Sequence, residues 1–257
     1  MYGWKGRVGS IAATPSDIFS YEFYKIAPPG LSIMQTTLSI HLMTAQELAA
    51  GFAAIEKTAL ALAQEGADVI ILGAAPTLYD QGPGADKVLS ERVTKATGVP
   101  AVSNQTAMMD GLTALGCRKI LIASPFNEEN NQKLKRYLEG SGFEVVGARG
   151  MGFTANADIN RISSEEAYRF IKKSGQDFRQ AEGIIVPCAN WPTSLIAAQV
   201  ETDLGIPVVT SNLAKIRAAL QVLEIKEPIL NFGRLLATPP TPPFNKGGAR
   251  GDLKGDY

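Results

Sequence analysis

The sequence predicts an α/β protein built from two pseudo-symmetric, doubly wound parallel-sheet halves, with its site in the cleft between them. Three observations predict this. Short apolar runs alternate with helical patterns along the chain. Residues 183–188 (GIIVPC) align without gaps on residues 68–73 (DVIILG), so Cys188 corresponds to Gly73. Residues 205–214 (GIPVVTSNLA) align on residues 98–107 (GVPAVSNQTA) at an offset of 205 − 98 = 107. The starts of the halves correspond too, residues 7–15 with 118–125 and 30–33 with 142–145. One βα unit after another recurs in the same order.

In the first half, residues 7–13 read as a buried strand whose exit loop, Thr14-Pro15-Ser16-Asp17, lies at the edge where such sheets bind ligands. Residues 34–40 read as the second strand, ending near His41. Thr44 and Glu47 form a capping box, and Leu48, Phe52, Ile55, Ala59 and Leu62 repeat at helical spacing until Gly66 supplies the stop. Residues 68–72 are too short and too apolar for a surface strand, which suggests a central parallel strand covered by helices on both faces. Residues 73–84 then read as a long loop ending in the turn Gly82-Pro83-Gly84. Between equivalent positions the first half has 98 − 73 = 25 residues, Gly73 to Gly98, and the second 205 − 188 = 17, Cys188 to Gly205, so about eight extra residues stand beside the site. Long loops at such places are often functional, and a lid is expected.

The second half predicts strands at 119–123, 143–148, 183–186 and 207–209. Its helices begin at the Asn127 cap, the Ser163-Glu166 capping box, Thr193 and Ser211. The expected division is residues 1–108 for the first half, completed by a helix around 211–232, and residues 109–210 for the second. Residues 238–257 (TPPTPPFNKGGARGDLKGDY) form a tail too poor in apolar surface to order itself.

Composition narrows the partners. Lys+Arg and Asp+Glu are equal at 25 each, so no net charge recruits nucleic acid or an anionic membrane. No apolar run approaches the ~18 residues of a membrane helix, and residues 1–7 have no apolar leader; a cytoplasmic location is expected. The two cysteines, Cys117 and Cys188, lie in different halves without metal-type spacing, and His41 is the one histidine, so no metal site is expected. The partner these features leave is a small molecule or a protein.

Cys188 ends the central strand of the second half. It is either a packing thiol, as buried cysteines often are, or a reactive one, whose thiolate helix-terminal N–H groups would stabilise or whose neutral form would protonate a carbanion. Placement after the central strand favours chemistry, and a catalytic thiol is expected to be alkylated quickly and protected by a dicarboxylate. Ala189, Asn190 and Trp191 follow, offering a backbone donor, a carboxamide and an aromatic wall. Cys117 sits in a turn and is expected to be structural, as is His41. Ser103-Asn104-Gln105-Thr106 and Thr210-Ser211-Asn212 are expected to cap helices before they bind anions.

The duplicated halves, the strand ending at Cys188 with Asn190 close behind, and GIPVVTSN at 205–212 resemble the aspartate/glutamate racemase superfamily, in particular its branch of arylmalonate decarboxylase and maleate cis-trans isomerase. The resemblance covers residues 5–222. It implies a cofactor-independent enzyme acting on a small dicarboxylic acid. Racemases and isomerases of this kind use two facing cysteines, whereas a single thiol opposite a glycine is the decarboxylase arrangement. Cys188 would then protonate an enediolate held by the turn Gly73-Ala74-Ala75 and by Ala189 and Asn190, in a pocket including Thr14, Pro15, Tyr79, Ser124, Phe126 and Trp191. The decarboxylase pattern has hydroxyl residues where this chain has Ala74, Ala75 and Phe126; Tyr79, Ser124 and Asn190 are the expected replacement donors. The alternatives are a maleate isomerase-like or racemase-like enzyme, or a small-carboxylate binding protein without turnover.

Overall fold

The structure, a computed structural model, describes residues 2–74, 76–79 and 81–239. Residues 240–257 of the expected tail, and Ala75 of the expected oxyanion turn, lie outside the described residues. The first half runs β1 (Gly6–Ala12), α1 (Ile18–Ile26), β2 (Leu31–Thr37), α2 (Ala45–Gln64), β3 (Val69–Leu72), α3 (Pro76–Tyr79), α4 (Ala85–Thr97), β4 (Ala101–Ser103) and α5 (Asn104–Ala114). The second runs β5 (Lys119–Phe126), α6 (Glu128–Gly140), β6 (Glu144–Phe153), α7 (Asn156–Ile159), α8 (Ser164–Asp177) and β7 (Gly183–Val186). A 3₁₀ turn (Ser194–Ile196) leads into α9 (Ala197–Leu204), β8 (Val208–Thr210), α10 (Ser211–Val222) and α11 (Arg234–Ala237).

Each half is a four-stranded parallel sheet of the same order, β2-β1-β3-β4 and β6-β5-β7-β8. The repeat in the sequence is thus a repeat in space. Its pseudo-twofold axis passes where equivalent residues meet: Asn104 Nδ2 donates to Ser211 Oγ at 2.9 Å, and these positions are 107 apart. Asp110 and Arg217, also 217 − 110 = 107 apart, attract each other. Helix α10 packs beside α5, against its own β8 and against β3 of the first half. A core containing Val8, Phe23, Ile71, Ile122, Ile185 and Leu213 runs across both sheets.

Several boundaries differ from the sequence reading. The second strand lies three residues earlier than expected, because Gly6 to Ala12 pair in register with Leu31 to Thr37; Leu38 and Ile40 only donate to Ala12 and Ala13 carbonyls beyond the strand. Half of the first capping box forms: Thr44 Oγ1 accepts from Glu47 N–H, but Glu47 Oε2 takes the His41 and Leu42 N–H groups instead of that of Thr44. The Ser163-Glu166 box is complete. The expected helix from Thr193 begins as the 3₁₀ turn, and the helix expected around 211–232 ends at Val222.

Part of the expected lid is a packed turn of helix. Helix α3 forms inside the long loop and buries Thr77, Leu78 and Tyr79 against α2 and α6. Among the described residues no helix is long and apolar enough to cross a membrane.

Trp191 is the largest fully buried side chain and packs edge-on against Phe170, 6.0 Å between ring centroids. Trp191→Ala should therefore cost about 3–5 kcal/mol of stability, read as a lower denaturant midpoint at unchanged slope.

Candidate active site

The carboxyl ends of four strands from the two sheets converge on one partly open cavity. Ala12 ends β1 and Ala13 follows it, Ala74 follows β3, Phe126 ends β5, and Pro187 and Cys188 follow β7. Ile40, Met43 and Leu48 close the apolar side, while Asn104, Asn156, Ala189, Asn190 and Lys215 complete the wall. The cavity measures about 40 Å³, room for a few waters. Its roof is tied across the halves: Met43 N–H donates to the Thr154 carbonyl (3.2 Å), Asn156 N–H to that of His41 (3.2 Å), and Asn156 Nδ2 to that of Ile40 (2.8 Å). Exposed His41 has this structural part, as expected.

Cys188 is 5% exposed and faces the cavity because β7 ends one residue before Pro187, whose ring carries no N–H to continue the ladder. Burial pushes its thiol up to about 12, against the pull of the Asn190 N–H, the Lys215 ammonium and the Trp191 N–H. The resting group is a protonated thiol already surrounded by what a thiolate needs. A thiol so placed should be alkylated slowly, where fast alkylation was expected. Modification by iodoacetamide should be slow at pH 7 and climb about tenfold per pH unit toward pH 12; a plateau at neutral pH, followed by mass spectrometry, would contradict it.

Gly73 allows the exit of β3 to stay this close to the neighbouring strand β1, its N–H donating to the Ile11 carbonyl at 2.9 Å. A Cβ there would lie 2.0 Å from the Ile11 carbonyl oxygen, so this backbone has no space for a second thiol unless the strand end shifts. Ala74 follows with φ 57°, the left-handed region that a non-glycine residue enters at a cost, and such strain collects at functional sites.

The other expected site residues are distributed unevenly. Ala74, Phe126, Ala189 and Asn190 line the cavity beside Cys188. Thr14 is buried just behind, where its Oγ1 accepts from Asn190 Nδ2 at 3.2 Å, and the same Nδ2 also reaches Asn156 Oδ1 at 3.4 Å. Pro15 is exposed and Trp191 points to Phe170, so neither is on the cavity wall. Ser124 Oγ donates to Asn131 Oδ1 (2.6 Å) and accepts from Phe126 N–H (3.1 Å), which commits it to the turn. Tyr79 is buried against Tyr137, its hydroxyl without a hydrogen-bond partner among the described residues; burial raises its phenol and a charge on Cys188 would raise it further. The expected replacement hydroxyls are thus not at the wall, and the Asn190 amide is already engaged.

What the sequence reading missed is Lys215. The cap of α10, where Thr210 Oγ1 accepts from Leu213 N–H at 3.2 Å, sends Asn212 and Lys215 inward. Lys215 is 1% exposed, its Nζ 3.3 Å from Asn212 Oδ1 and 4.1 Å from the centre of the Phe19 ring. Burial pulls its ammonium down to about 8, although Cys188 and Glu22 act to raise it. Glu22 lies behind, accepting from Ser194 N–H (2.9 Å), Ser194 Oγ (2.7 Å) and Asn212 Nδ2 (2.7 Å); burial raises its carboxyl. The signal was available in the repeat: at the offset of 107, Lys215 stands where the first half has Met108.

Ser103 and Thr210 cap their helices as expected, and Cys117 donates to the Glu182 carbonyl at 3.5 Å, a packing role. Among the described residues no three His, Cys, Asp or Glu side chains cluster as metal ligands.

Two like α/β halves that enclose a thiol at the end of a central strand define a racemase-like cleft protein. A family model described as arylmalonate decarboxylase matches residues 21–236, and the chain belongs to that family. It is 25% identical to the arylmalonate decarboxylase of Bordetella bronchiseptica over 186 residues, 72% of this chain and 78% of the relative. A variant of the maleate isomerase Iso from Pseudomonas putida S16, solved with maleate, superposes with a TM-score of 0.85 at 21% identity, covering 91% of this chain and 98% of that one. A mutant of the Nocardia farcinica maleate cis-trans isomerase, solved with a covalently bound succinylcysteine intermediate, gives 0.84 at 20% identity over 90% and 98%. The relatives are enzymes of two reaction classes.

Proposed function

We propose that this protein decarboxylates a substituted malonate or a similar small dicarboxylic acid without a cofactor, using Cys188 as the one proton donor. The observation that carries this reading is a buried thiol on the cavity wall, kept protonated by its burial, with Gly73 at the equivalent strand end bringing no second acid. The bond from the α-carbon to one carboxylate breaks and CO₂ leaves. Its electron pair passes into the retained carboxylate, which becomes an enediolate. Cys188 gives the Sγ proton to one face of the α-carbon, and the thiolate, met by the Asn190 and Trp191 N–H groups, recovers a proton from water. The apolar side formed by Ile40, Met43, Leu48 and Phe126 suits the substituent and the departing neutral CO₂.

Isomerisation of maleate is the second reading, favoured by the relative that holds a succinylcysteine. It needs a thiolate to add to the double bond, and a thiol pushed up to about 12 opposes that. Proton NMR of phenylmalonate, methyl-phenylmalonate and maleate with the protein in D₂O separates the readings. Loss of a carboxylate is expected from the malonates; fumarate from maleate alone would replace decarboxylation by isomerisation. Saturable binding with no product would leave a carboxylate-binding protein.

A further inference from the structure

We infer that the Lys215 ammonium is the electrophilic group of this pocket, holding the carboxylate that the substrate retains and the second negative charge that gathers on it during reaction. For the chemical step the inference rests on the decarboxylase reading; for ligand binding it stands alone. A malonate loses CO₂ only if the retained carboxylate accepts an electron pair, so its oxygens pass from one negative charge to two. A cation already in place there gains more from the transition state than from the bound substrate, which is the condition for catalysis.

Most side-chain donors that such an intermediate would otherwise use are missing or occupied, and the Tyr79 hydroxyl, unpaired among the described residues, is not on the cavity wall. Ala74 and Phe126 have no hydroxyl, Ser124 is bound to Asn131, and the Asn190 amide is bound to Thr14 and Asn156. Lys215 is on the cavity wall with Cys188, almost wholly out of water, and its partners among the described residues are one carboxamide oxygen at 3.3 Å and the face of Phe19. Glu22 is not close enough to form an ion pair with it, being held by Ser194 and Asn212. The ammonium therefore keeps charge to offer a ligand. The repeat argues the same: the equivalent Met108 fills the same kind of buried site without a charge, so packing does not require one.

The groups facing Lys215 are few. Glu22 comes from α1 and Cys188 from the exit of β7. Strands β3 and β8 and the 3₁₀ turn bring no titratable side chain; Asp110 of α5 faces Arg217, and Arg234 of α11 binds the Gly205 carbonyl. Activity and anion binding should thus fall as pH rises through about 8, where Lys215 loses its proton, far below the titration of Cys188.

The test compares wild type, Lys215→Met and Lys215→Arg, each first shown to be folded by its thermal melt. Malonate binding is titrated calorimetrically from pH 6.5 to 9.5, and phenylmalonate turnover is followed over the same range. Lys215→Met should lower kcat about 10²–10³-fold and weaken malonate binding about tenfold or more. Lys215→Arg should keep binding and remove the decline above pH 8. Equal malonate affinity in wild type and Lys215→Met, or no malonate binding by wild type at any pH, would overturn the inference whatever the turnover. Lys215-dependent binding without turnover would instead uphold it and sink the decarboxylase reading.

Discussion

Cys188→Ala should abolish product formation from a malonate that wild type consumes, lowering kcat about 10²–10⁴-fold, the usual contribution of a positioned general acid. The fold should survive. The side chain is small, no disulfide is lost, and the Asn190 and Trp191 N–H groups that met the sulfur can turn to water in the cavity. Malonate affinity should change little, because the charge that holds a carboxylate is on Lys215. A Cys188→Ala protein that decarboxylates within a few-fold of wild type would remove the thiol from the mechanism. One that binds no malonate would show that Cys188 positions the ligand instead of protonating it.

The second large effect concerns stability. The Lys215 ammonium is pulled from 10.5 in the unfolded chain to about 8 in the fold. Below pH 8 both states hold the proton and the buried charge is a standing penalty. Between about 8 and 10.5 the unfolded chain binds more protons than the folded one, so stability rises with pH. The full rise is about 3 kcal/mol. Lys215→Met should lack this rise and should be more stable than wild type at pH 7, because Met has a similar volume and is the residue its pseudo-symmetric position carries. Denaturant unfolding of the two proteins at pH 7 and pH 10 measures the difference. A gap that stays constant with pH would mean that Lys215 titrates normally in the fold. Together with the turnover loss expected above, a stabilised and inactive Lys215→Met would mark a residue kept for function at a cost to stability.

The architecture was legible because it is written twice. Two gapless alignments, 68–73 on 183–188 and 98–107 on 205–214, were enough to infer equivalent sheets, and Asn104 and Ser211 touch at the offset those alignments give. Central strands were read well because β3 and β7 are wholly buried and wholly apolar. Edges were read less well. β2 is half-exposed, its alternation weak, and its limits come from register with β1, which no single strand reveals. Glu47 serves the incoming His41-Leu42 backbone because that segment is tied to residues 154–156 of the other half, a long-range constraint invisible in a local motif.

The site was legible where it belongs to the repeat and obscure where it depends on side-chain direction. Cys188 and Asn190 could be placed from the strand end, and Ala74 and Ala189 from the resemblance. Ser124 and Trp191 are next to such ends, yet a hydrogen bond to Asn131 and packing on Phe170 turn them elsewhere. Lys215 was hidden by composition, since a lysine in a helix is ordinarily taken for a solvated one; α10 is buried on nearly every side, and only comparison with Met108 marks the charge as unusual.

The central claim, one thiol protonating one face of an enediolate, is tested most directly by the product of methyl-phenylmalonate in D₂O. Wild type should give 2-phenylpropionate carrying one deuterium at the α-carbon and a single configuration by chiral chromatography. Racemic product, or product whose α-carbon is protonated equally well by the Cys188→Ala protein, would contradict it.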